Sequence, residues 1–351
     1  MVYLLNNISI FIWAFCIKHI KCKNKNSIFL FICFAQLTLI VGLRNEVGAD
    51  YYSYLRIYNH LSGIWQYNYR YPEVEIGYEL VNIIFGYFGI PYWGINLFMA
   101  FWTNLFIVLA IKEYKINICM SIFMYISLFF FYHSMNQTRQ GLAMAIGIYA
   151  ISQLCKKRNM AFVFWILFAM CFHTVAIVYL PLYLLRKIKI TKKVLMLYLL
   201  GTIIVLVGYQ FVVILLTYTK YGVYFNSYYD RSNALSTIIN LVVRIVMLFL
   251  ALFYAKKIKE GMSKNILYHM VIICTCVQAI TIQSSVFGRI TTPFFISYII
   301  LIPTIISSIS QKKRSIMTVL AYVAASFYQG VYYSLMKTAV LVNDYKSVFD
   351  L

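Results

Sequence analysis

The chain has 351 residues, of which 62% are hydrophobic and 12% are charged. A soluble domain carries about 25% charged residues. This sequence instead repeats apolar runs of roughly 18 residues or more, the length that crosses a lipid bilayer as a helix. The composition therefore predicts an all-α, polytopic integral membrane protein that forms a single transmembrane domain over residues 1–351. It excludes a separate soluble domain.

The formal net charge is +21, but the distribution of this charge argues against a nucleic-acid partner. Most basic residues lie in short connections between apolar runs, near positions 18–25, 112–115, 156–158, 186–193, 256–264 and 312–314. Such clusters mark the cytoplasmic side of a membrane protein. Of the ten acids, only Glu113 and Glu260 fall in these connections. The charge pattern therefore predicts a topology, with the other acids on the outer side.

The apolar runs predict about ten membrane-spanning helices with both termini outside. In chain order they cover residues 3–17, 27–43, 93–111, 116–132, 138–155, 194–216, 235–255, 266–283, 290–309 and 316–335. We expect the first to be retained, because no basic residue precedes it and no small-residue cleavage site follows it. A shorter apolar piece at 77–88 is expected to lie at the outer surface or to dip in and return. Long extracytoplasmic loops are predicted at about 44–75 and 217–234.

The stretch from 160 to 185 is apolar but has basic clusters at both ends. Both ends are therefore expected on the cytoplasmic side, which a single helix through the membrane would not allow. The sequence predicts a re-entrant hairpin of two half-helices, 161–172 and 174–185, that turns near His173. Non-helical backbone at that depth requires protein or water to satisfy its polar groups.

A first polar constellation follows the second apolar run and contains Arg44, Asp50, Tyr54 and Tyr58. Arginine presents a planar fork that matches phosphate oxygens, and a carboxylate can accept a proton from a sugar hydroxyl. Tyrosine rings suit sugar faces and the headgroup region of the bilayer. The alternative interpretation is an interfacial aromatic belt whose loop is held by an Arg–Asp salt bridge.

A second constellation surrounds Arg139 at the predicted outer end of a helix, with Asn136 and Gln140 beside it. Ala143 and Gly147 follow one and two turns below, which leaves a small-residue surface for another helix or a lipid tail. The alternative is an arginine that extends to the interface among polar packing partners.

Four further residues complete the candidate set. Arg289 opens a later helix from the outer side, and Arg231 lies in the second outer loop. Glu79 lies on the short apolar piece, and His173 lies at the predicted hairpin turn. Each is also compatible with an ordinary packing or headgroup-level residue. If Arg44, Arg139 and Arg289 all face outward, they would suit a pyrophosphate. The sequence contains no nucleotide-binding motif and no metal-ligand pattern, so neither a cofactor nor a metal is expected.

Five segments together resemble the EpsG family of bacterial polysaccharide-assembly proteins, which is similar to the Wzy-type O-antigen and capsule polymerases. They are GLRNEVGADYYSYLRIY, MNQTRQGLAMAIGIY, FHTVAIVYLPLYLL, FGRITTPFF and YKSVF. They occur in the expected order over essentially the whole chain. Each is short, and the specificity lies in the combination.

The resemblance implies a lipid-linked oligosaccharide polymerase, a glycosyltransferase in the bacterial inner membrane whose active site faces the periplasm or exterior. It would move a growing glycan from undecaprenyl pyrophosphate onto the non-reducing-end sugar of another lipid-linked repeat unit of a lipopolysaccharide or capsule. The implied partners are that lipid-linked oligosaccharide, membrane lipid and a chain-length regulator protein. The implied fold is the membrane-embedded glycosyltransferase class (GT-C-like), which is an analogy.

The resemblance also implies roles for individual residues. Asp50 is the first choice for the base that deprotonates the acceptor hydroxyl, with Glu79 and His173 behind it. The residues expected to bind pyrophosphate or glycan are Arg44, Arg139, Arg289, Arg231, Tyr54, Tyr58, Asn136 and Gln140.

Two other functions remain open at this point. A flippase or transporter of lipid-linked oligosaccharide would explain discontinuous helices, although no internal repeat is visible and the polar residues crowd one side. An enzyme with a different acceptor, such as an O-antigen ligase or an O-acetyltransferase, would use a similar membrane scaffold.

Overall fold

The computed structural model describes residues 2–62, 74–114, 116–218, 222, 225, 234–335 and 345–350. Its elements in chain order are α1 Val2–His19, α2 Lys25–Gly42, β1 Arg44–Asn45, α3 Tyr51–Leu61, α4 Ile76–Tyr87, α5 Tyr92–Tyr114, α6 Ile118–Ser127, α7 Phe130–Asn136, α8 Thr138–Cys155, α9 Asn159–Met170, α10 Leu182–Leu185, α11 Lys192–Val207, α12 Tyr209–Thr217, α13 Ala234–Tyr254, α14 Met262–Ile280, α15 Gly288–Phe295, α16 Tyr298–Ser308, α17 Gln311–Leu335 and β2 Lys346–Ser347. The predicted fold class, an all-α, multi-pass membrane protein, is confirmed.

The chain divides into two compact units. The first contains Met1–Ile177 and Gln311–Leu351, and the second contains Val178–Ser310. Five single helices are long and apolar enough to cross a membrane, and three bent helix pairs raise the number of candidate spans in the described residues to eight. The three pairs are α6 with α7, α11 with α12, and the segment Ser285–Phe295 with α16, bent by 47°, 71° and 47°.

Helices α5 and α8 form the centre of the first unit. Almost every side chain of α8 is buried, which fits its small residues Gly141, Ala143, Ala145, Gly147 and Ala150. Small side chains let helix backbones approach closely where lipid provides no hydrophobic drive for association. Helix α8 packs against α5 and α9, so a residue at the start of α8 has a well-defined position.

The two ends of this first unit differ in charge. Lys156, the first residue of the basic cluster at 156–158, forms an ion pair with Glu113 where α5 and α8 end. At the opposite end, where α8 begins, Arg44 donates to Thr138. The strands β1 and β2 pair antiparallel there, with Arg44 opposite Ser347. Arg44 and Thr138 therefore lie at the opposite end of α8 from Lys156.

Two local features differ from the sequence expectation or refine it. The predicted loop at 44–75 contains the helix α3, whose buried residues Tyr51, Tyr54, Ile57 and Leu61 recur along one face. Such spacing makes an amphipathic helix that packs sideways, and hydropathy alone does not reveal it. The second feature is that α9 ends at Met170 and a 3₁₀ segment, Thr174–Tyr179, follows. The chain thus leaves the α-helix around His173, where the sequence predicts a turn.

The second unit is built around α14, which packs against α11, α13 and α15. Arg244 of α13 is buried and donates to the carbonyl oxygen of Asn240 at 2.8 Å. Its guanidinium carbon lies 4.2 Å from the ring centroid of Phe295. Cation–π contact of this kind stabilises a charge that has left water. The predicted loop at 217–234 lies largely outside the described residues.

Candidate anion site at the start of α8

Arg139, the second residue of α8, is the centre of the candidate site. Its Nη1 donates to Oε2 of Glu75 at 2.5 Å. The rings of Tyr54 and Tyr78 lie 5.7 and 5.8 Å from the guanidinium carbon. The side chains of Arg139 and Glu75 keep 18% and 11% of their exposure. The guanidinium is thus held by a carboxylate and two aromatic rings, while part of the Arg139 side chain stays exposed.

Glu75 is the residue immediately before α4, and its two carboxylate oxygens have different partners. Oε2 accepts from Arg139, while Oε1 accepts from the backbone N–H of Thr174 at 3.2 Å and from its hydroxyl at 3.4 Å. Burial alone would raise the pKa of the Glu75 carboxyl, but Arg139 and His173 outweigh burial and hold this pKa below its ordinary value. Glu75 is therefore an anion at neutral pH.

The start of α4 is fixed against the end of α9 by a close backbone contact. The N–H of Gly77 donates to the carbonyl oxygen of Cys171 at 2.7 Å. A Cβ at position 77 would lie 2.7 Å from that oxygen, which is closer than carbon and oxygen normally approach. A glycine is needed here, and through it Glu75 meets Thr174.

His173 is half-buried beside this ion pair, and its tautomer follows from one hydrogen bond. Its Nδ1 lies 3.2 Å from the backbone N–H of Val175 and accepts from it. In the neutral ring the proton must then be on Nε2. His173 is consequently a donor through Nε2 in this arrangement.

Arg44 lies deeper in the first unit than the sequence alone indicated. Its side chain is fully buried, with Nη1 donating to the carbonyl oxygen of Val41 at 2.6 Å and Nη2 donating to the hydroxyl of Thr138 at 3.2 Å. It thereby ties the end of α2 to the residue before Arg139. A direct contact of Arg44 with substrate stays a prediction.

Asp50 stands at the start of α3, and Asn136 fixes its backbone. The N–H of Asp50 donates to Oδ1 of Asn136 at 2.9 Å. The preceding turn depends on Gly48, whose φ is 105° and whose Cβ position lies 3.0 Å from a carbonyl oxygen. Burial raises the pKa of Tyr54, and the charge of nearby Asp50 also raises it. Asp50 therefore belongs to the neighbourhood of Tyr54 and Arg139.

Three predicted residues have other surroundings. The hydroxyl of Tyr58 donates to the carbonyl oxygen of Ile90 at 2.5 Å, which fixes α3 to the chain just before α5. Glu79 of α4 and Gln140 of α8 are both buried. Their proposed roles in catalysis and substrate binding stay predictions.

Two predicted arginines lie outside the described residues of the first unit. Arg289 lies on α15 in the second unit, and its role in holding pyrophosphate stays a prediction. Arg231 lies outside the described residues.

The structure thus brings together Arg139, Tyr54, Asp50, Asn136 and His173, which the sequence singled out. Sequence reasoning missed Glu75, Thr174 and Tyr78. Glu75 did carry a signal, since an acid is rare in this chain. A partly exposed guanidinium is chemically suited to bind an anion. Among the described residues, no group of three His, Cys, Asp or Glu side chains could hold a metal ion.

Comparison with known proteins gives one match. The model of the EpsG family matches residues 27–347, which is nearly the whole chain. Searches of curated proteins and of solved structures each gave no match.

Proposed function

Because this chain belongs to the EpsG family, we propose that it is a polysaccharide polymerase that acts on lipid-linked repeat units. The family is associated with Wzy-type polymerases. In this proposal the donor is a glycan on undecaprenyl pyrophosphate, and the acceptor is the non-reducing-end sugar of a second lipid-linked unit. The alternatives in the same scaffold, a ligase or a flippase, are outcomes of the test below.

The proposed reaction breaks one bond and forms one bond. The acceptor hydroxyl oxygen attacks the anomeric carbon of the donor, and the bond from that carbon to the phosphate oxygen breaks. The electron pair leaves with undecaprenyl pyrophosphate, and the hydroxyl proton passes to a base. The donor is already activated, so the reaction needs no nucleotide.

The observation that carries the proposal is the environment of Arg139. Its guanidinium lies beside the rings of Tyr54 and Tyr78, which contact each other edge to face, and already holds an anion, the carboxylate of Glu75. Fixed donors that meet negative charge as it develops on a leaving group lower the barrier, most of all where water is scarce. We therefore assign the leaving pyrophosphate to Arg139.

Asp50 remains our choice for the base. It lies next to Tyr54, which contacts Arg139, and its backbone is fixed by Asn136. His173 is less suited, because its Nδ1 already accepts a hydrogen bond. Glu79 is less suited because it is buried.

The arginines other than Arg139 have supporting roles in this proposal. Arg44 holds the hydroxyl of Thr138 and thereby fixes the first turn of α8. For Arg289 and Arg231 we keep the proposed role of binding pyrophosphate or glycan. Tyr58, Asn136 and Gln140 would shape the region around the glycan.

We further propose ten membrane spans in a GT-C-like arrangement. The count adds α8 and α17, which have 18 and 25 residues, to the candidate spans already described. The re-entrant segment would be α9 and the chain that follows it. Helix α9 has 12 residues, or about 18 Å at 1.5 Å per residue, which is short of a bilayer core of about 30 Å. The proposed orientation places Arg139 outside, opposite the basic connections.

The test measures bond formation and lipid release together. Purified protein is incubated with its own lipid-linked repeat unit and no nucleotide, and both glycan length and free undecaprenyl pyrophosphate are quantified. We expect a ladder of products, with one lipid pyrophosphate released for each glycosidic bond. Movement of the lipid across a reconstituted bilayer without any lengthening would instead indicate a flippase. Transfer of glycan only to a non-repeat acceptor would indicate a ligase.

A further inference from the structure

The carboxylate of Glu75 has the set of donors that proteins commonly give to a phosphate. It receives a guanidinium N–H from Arg139 and both the backbone N–H and the hydroxyl of Thr174. The guanidinium fork matches carboxylate and phosphate equally well in geometry. Backbone N–H groups and hydroxyls complete many phosphate sites. We name these three donor groups the anion cradle.

His173 adds a further positive influence to the cradle. As an imidazolium it lowers the pKa of the Glu75 carboxyl by its charge. As a neutral ring it keeps its proton on Nε2, because Nδ1 accepts from the N–H of Val175. A group that donates is suited to bind an anion and is unsuited to take a proton. The surroundings of Glu75 thus favour negative charge from three residues, Arg139, His173 and Thr174.

The donors of the cradle have contacts in the fold besides Glu75. Arg139 lies beside the rings of Tyr54 and Tyr78. Thr174 is held where the start of α4 meets the end of α9 through the contact from Gly77 to Cys171. Glu75 is the N-cap residue of α4, and its side chain is 11% exposed. A rotation of this one side chain would empty the cradle and leave its donors in place.

We propose that Glu75 is an exchangeable counter-ion, which occupies the anion cradle of the empty protein and yields it to a phosphate group of the substrate. Only the identity of that phosphate, the leaving pyrophosphate, rests on the function proposed above. An arginine that has lost most of its water needs a counter-charge, and Glu75 supplies one between turnovers.

The presence of Glu75 in the anion cradle is expected to favour ligands of higher negative charge. A ligand phosphate must displace a carboxylate, so an anion of one charge gains little from the exchange. A pyrophosphate carries more charge and more acceptor oxygens, and it gains more from each donor. Glu75 would therefore discriminate against singly charged headgroups, such as those of abundant phospholipids.

The test compares binding of inorganic pyrophosphate to the wild type and to Glu75→Gln by titration calorimetry in detergent. Glutamine keeps the length and an acceptor oxygen but carries no competing charge. At pH 7 we expect the dissociation constant of Glu75→Gln to be lower by about tenfold, which corresponds to about 1.4 kcal/mol. Arg139→Ala is expected to abolish binding in both backgrounds.

The pH dependence provides a second readout. As pH falls from 7 through the pKa of Glu75, which lies below its ordinary value, protonation of Glu75 removes the competitor in the wild type, so the ratio of the two dissociation constants should approach one. The other groups that face Glu75 are Arg139, His173, Tyr54 and Tyr78, with Asp50 beside Tyr54. All of them remain in both proteins, and the ratio also cancels the ionisation of pyrophosphate itself.

Three results would overturn the inference: equal dissociation constants at pH 7, weaker binding by Glu75→Gln, or a ratio that does not change with pH. If Glu75→Gln fails to fold, Glu75→Asp replaces it. Its shorter carboxylate cannot reach Arg139 and Thr174 together, so intermediate affinity is expected and unchanged or weaker affinity contradicts the inference. The binding assay needs no glycan, so the two proposals can fail separately. A product ladder from the wild type together with equal affinities would refute only the role of Glu75 as a counter-ion. An affinity difference without any product ladder would refute only the polymerase function.

Discussion

At the residue scale, the substitution Asp50→Asn removes a charge and keeps the shape of the side chain. The backbone N–H of Asp50 donates to Asn136, a contact that the substitution keeps, and asparagine suits a position before a helix as well as aspartate does. We predict that Asp50→Asn keeps KM within about threefold and lowers kcat by about 10²–10⁴, the usual contribution of a general base. Initial rates of chain extension measure both. A large rise in KM with an unchanged kcat would assign Asp50 to binding instead.

The lowered pKa of Glu75 predicts that its contribution to the free energy of unfolding depends on pH. Its pKa in the native state lies below the unfolded value of about 4.3. Stabilisation by Glu75 is therefore complete above the unfolded pKa and is lost as pH falls through the folded pKa. Hydrogen bonds to charged groups contribute about 1.5–3 kcal/mol. Glu75→Gln should melt at a lower temperature than the wild type at pH 7, and the difference should vanish at low pH.

The matched control for this melting series is Glu113→Gln. Glu113 also has an ion pair, with Lys156, but the two side chains are 29% and 38% exposed. An exposed pair contributes about 1 kcal/mol or less, so its loss should shift the melting temperature much less. Equal shifts for the two variants at pH 7 would contradict the assignment of Glu75 to a buried network.

Sequence reasoning found Arg139, Asp50 and His173 because a charged or ionisable group near a membrane helix stands out against an apolar background. It missed Glu75 and Thr174 because their importance comes from pairing. Glu75 lies 64 residues from Arg139 and 99 from Thr174. No local spacing rule connects such positions. Only the packing of α4, α8 and α9 does so.

At the element scale, the contact between α4 and α9 yields a steric prediction. A methyl group at position 77 would meet the carbonyl oxygen of Cys171 at 2.7 Å, so Gly77→Ala should separate the two elements. We predict a loss of about 1–3 kcal/mol in stability, as for overpacked cores, together with a loss of polymerase activity because Glu75 and Thr174 move apart.

The control for this prediction is Gly330→Ala in α17, where a Cβ meets nothing within 4 Å. Alanine is the better helix former by about 1 kcal/mol, so this variant should be as stable as the wild type or more stable. Thermal unfolding and extension rates would be measured for both variants. If Gly77→Ala behaves like Gly330→Ala, the contact is not a constraint.

Hydropathy predicted the long helices well, because their apolar length is a local property. Helix α3 was predicted as a loop, since its apolar residues form one face and its mean composition is polar. The bends within α6–α7 and α15–α16 were also not predicted. They arise where neighbouring helices and local backbone geometry, such as Phe129 with φ 73°, interrupt a continuous apolar run.

At the scale of the whole molecule, charge distribution yields a topology that can be tested. Residues Ser53 of α3 and Lys23 before α2 are both exposed, and we propose that they lie on opposite sides of the membrane. In a background without the native cysteines, Ser53→Cys should react with a membrane-impermeant thiol reagent in intact spheroplasts. Lys23→Cys should react only after permeabilisation. The reverse pattern would invert the proposed orientation.

The charge pattern was predictable from sequence because the positive-inside bias depends on the short connections and not on the packing between helices. The number of membrane spans was harder to predict from the sequence. Helices α8 and α17 begin with polar or basic turns, which lower their mean hydropathy although their length is sufficient. Their assignment as spans therefore depends on α8 packing in the centre of the first unit and on the proposed topology.

The most direct measurement compares chain extension by the wild type, Arg139→Ala and Arg158→Ala, each purified and given lipid-linked repeat units without nucleotide. Arg158 follows the other end of α8, where it donates to Gln153, so it controls for the loss of an arginine. We predict ladders from the wild type and Arg158→Ala, and at least a 10²-fold slower extension by Arg139→Ala, as for the loss of a transition-state donor. A normal ladder from Arg139→Ala would contradict the account.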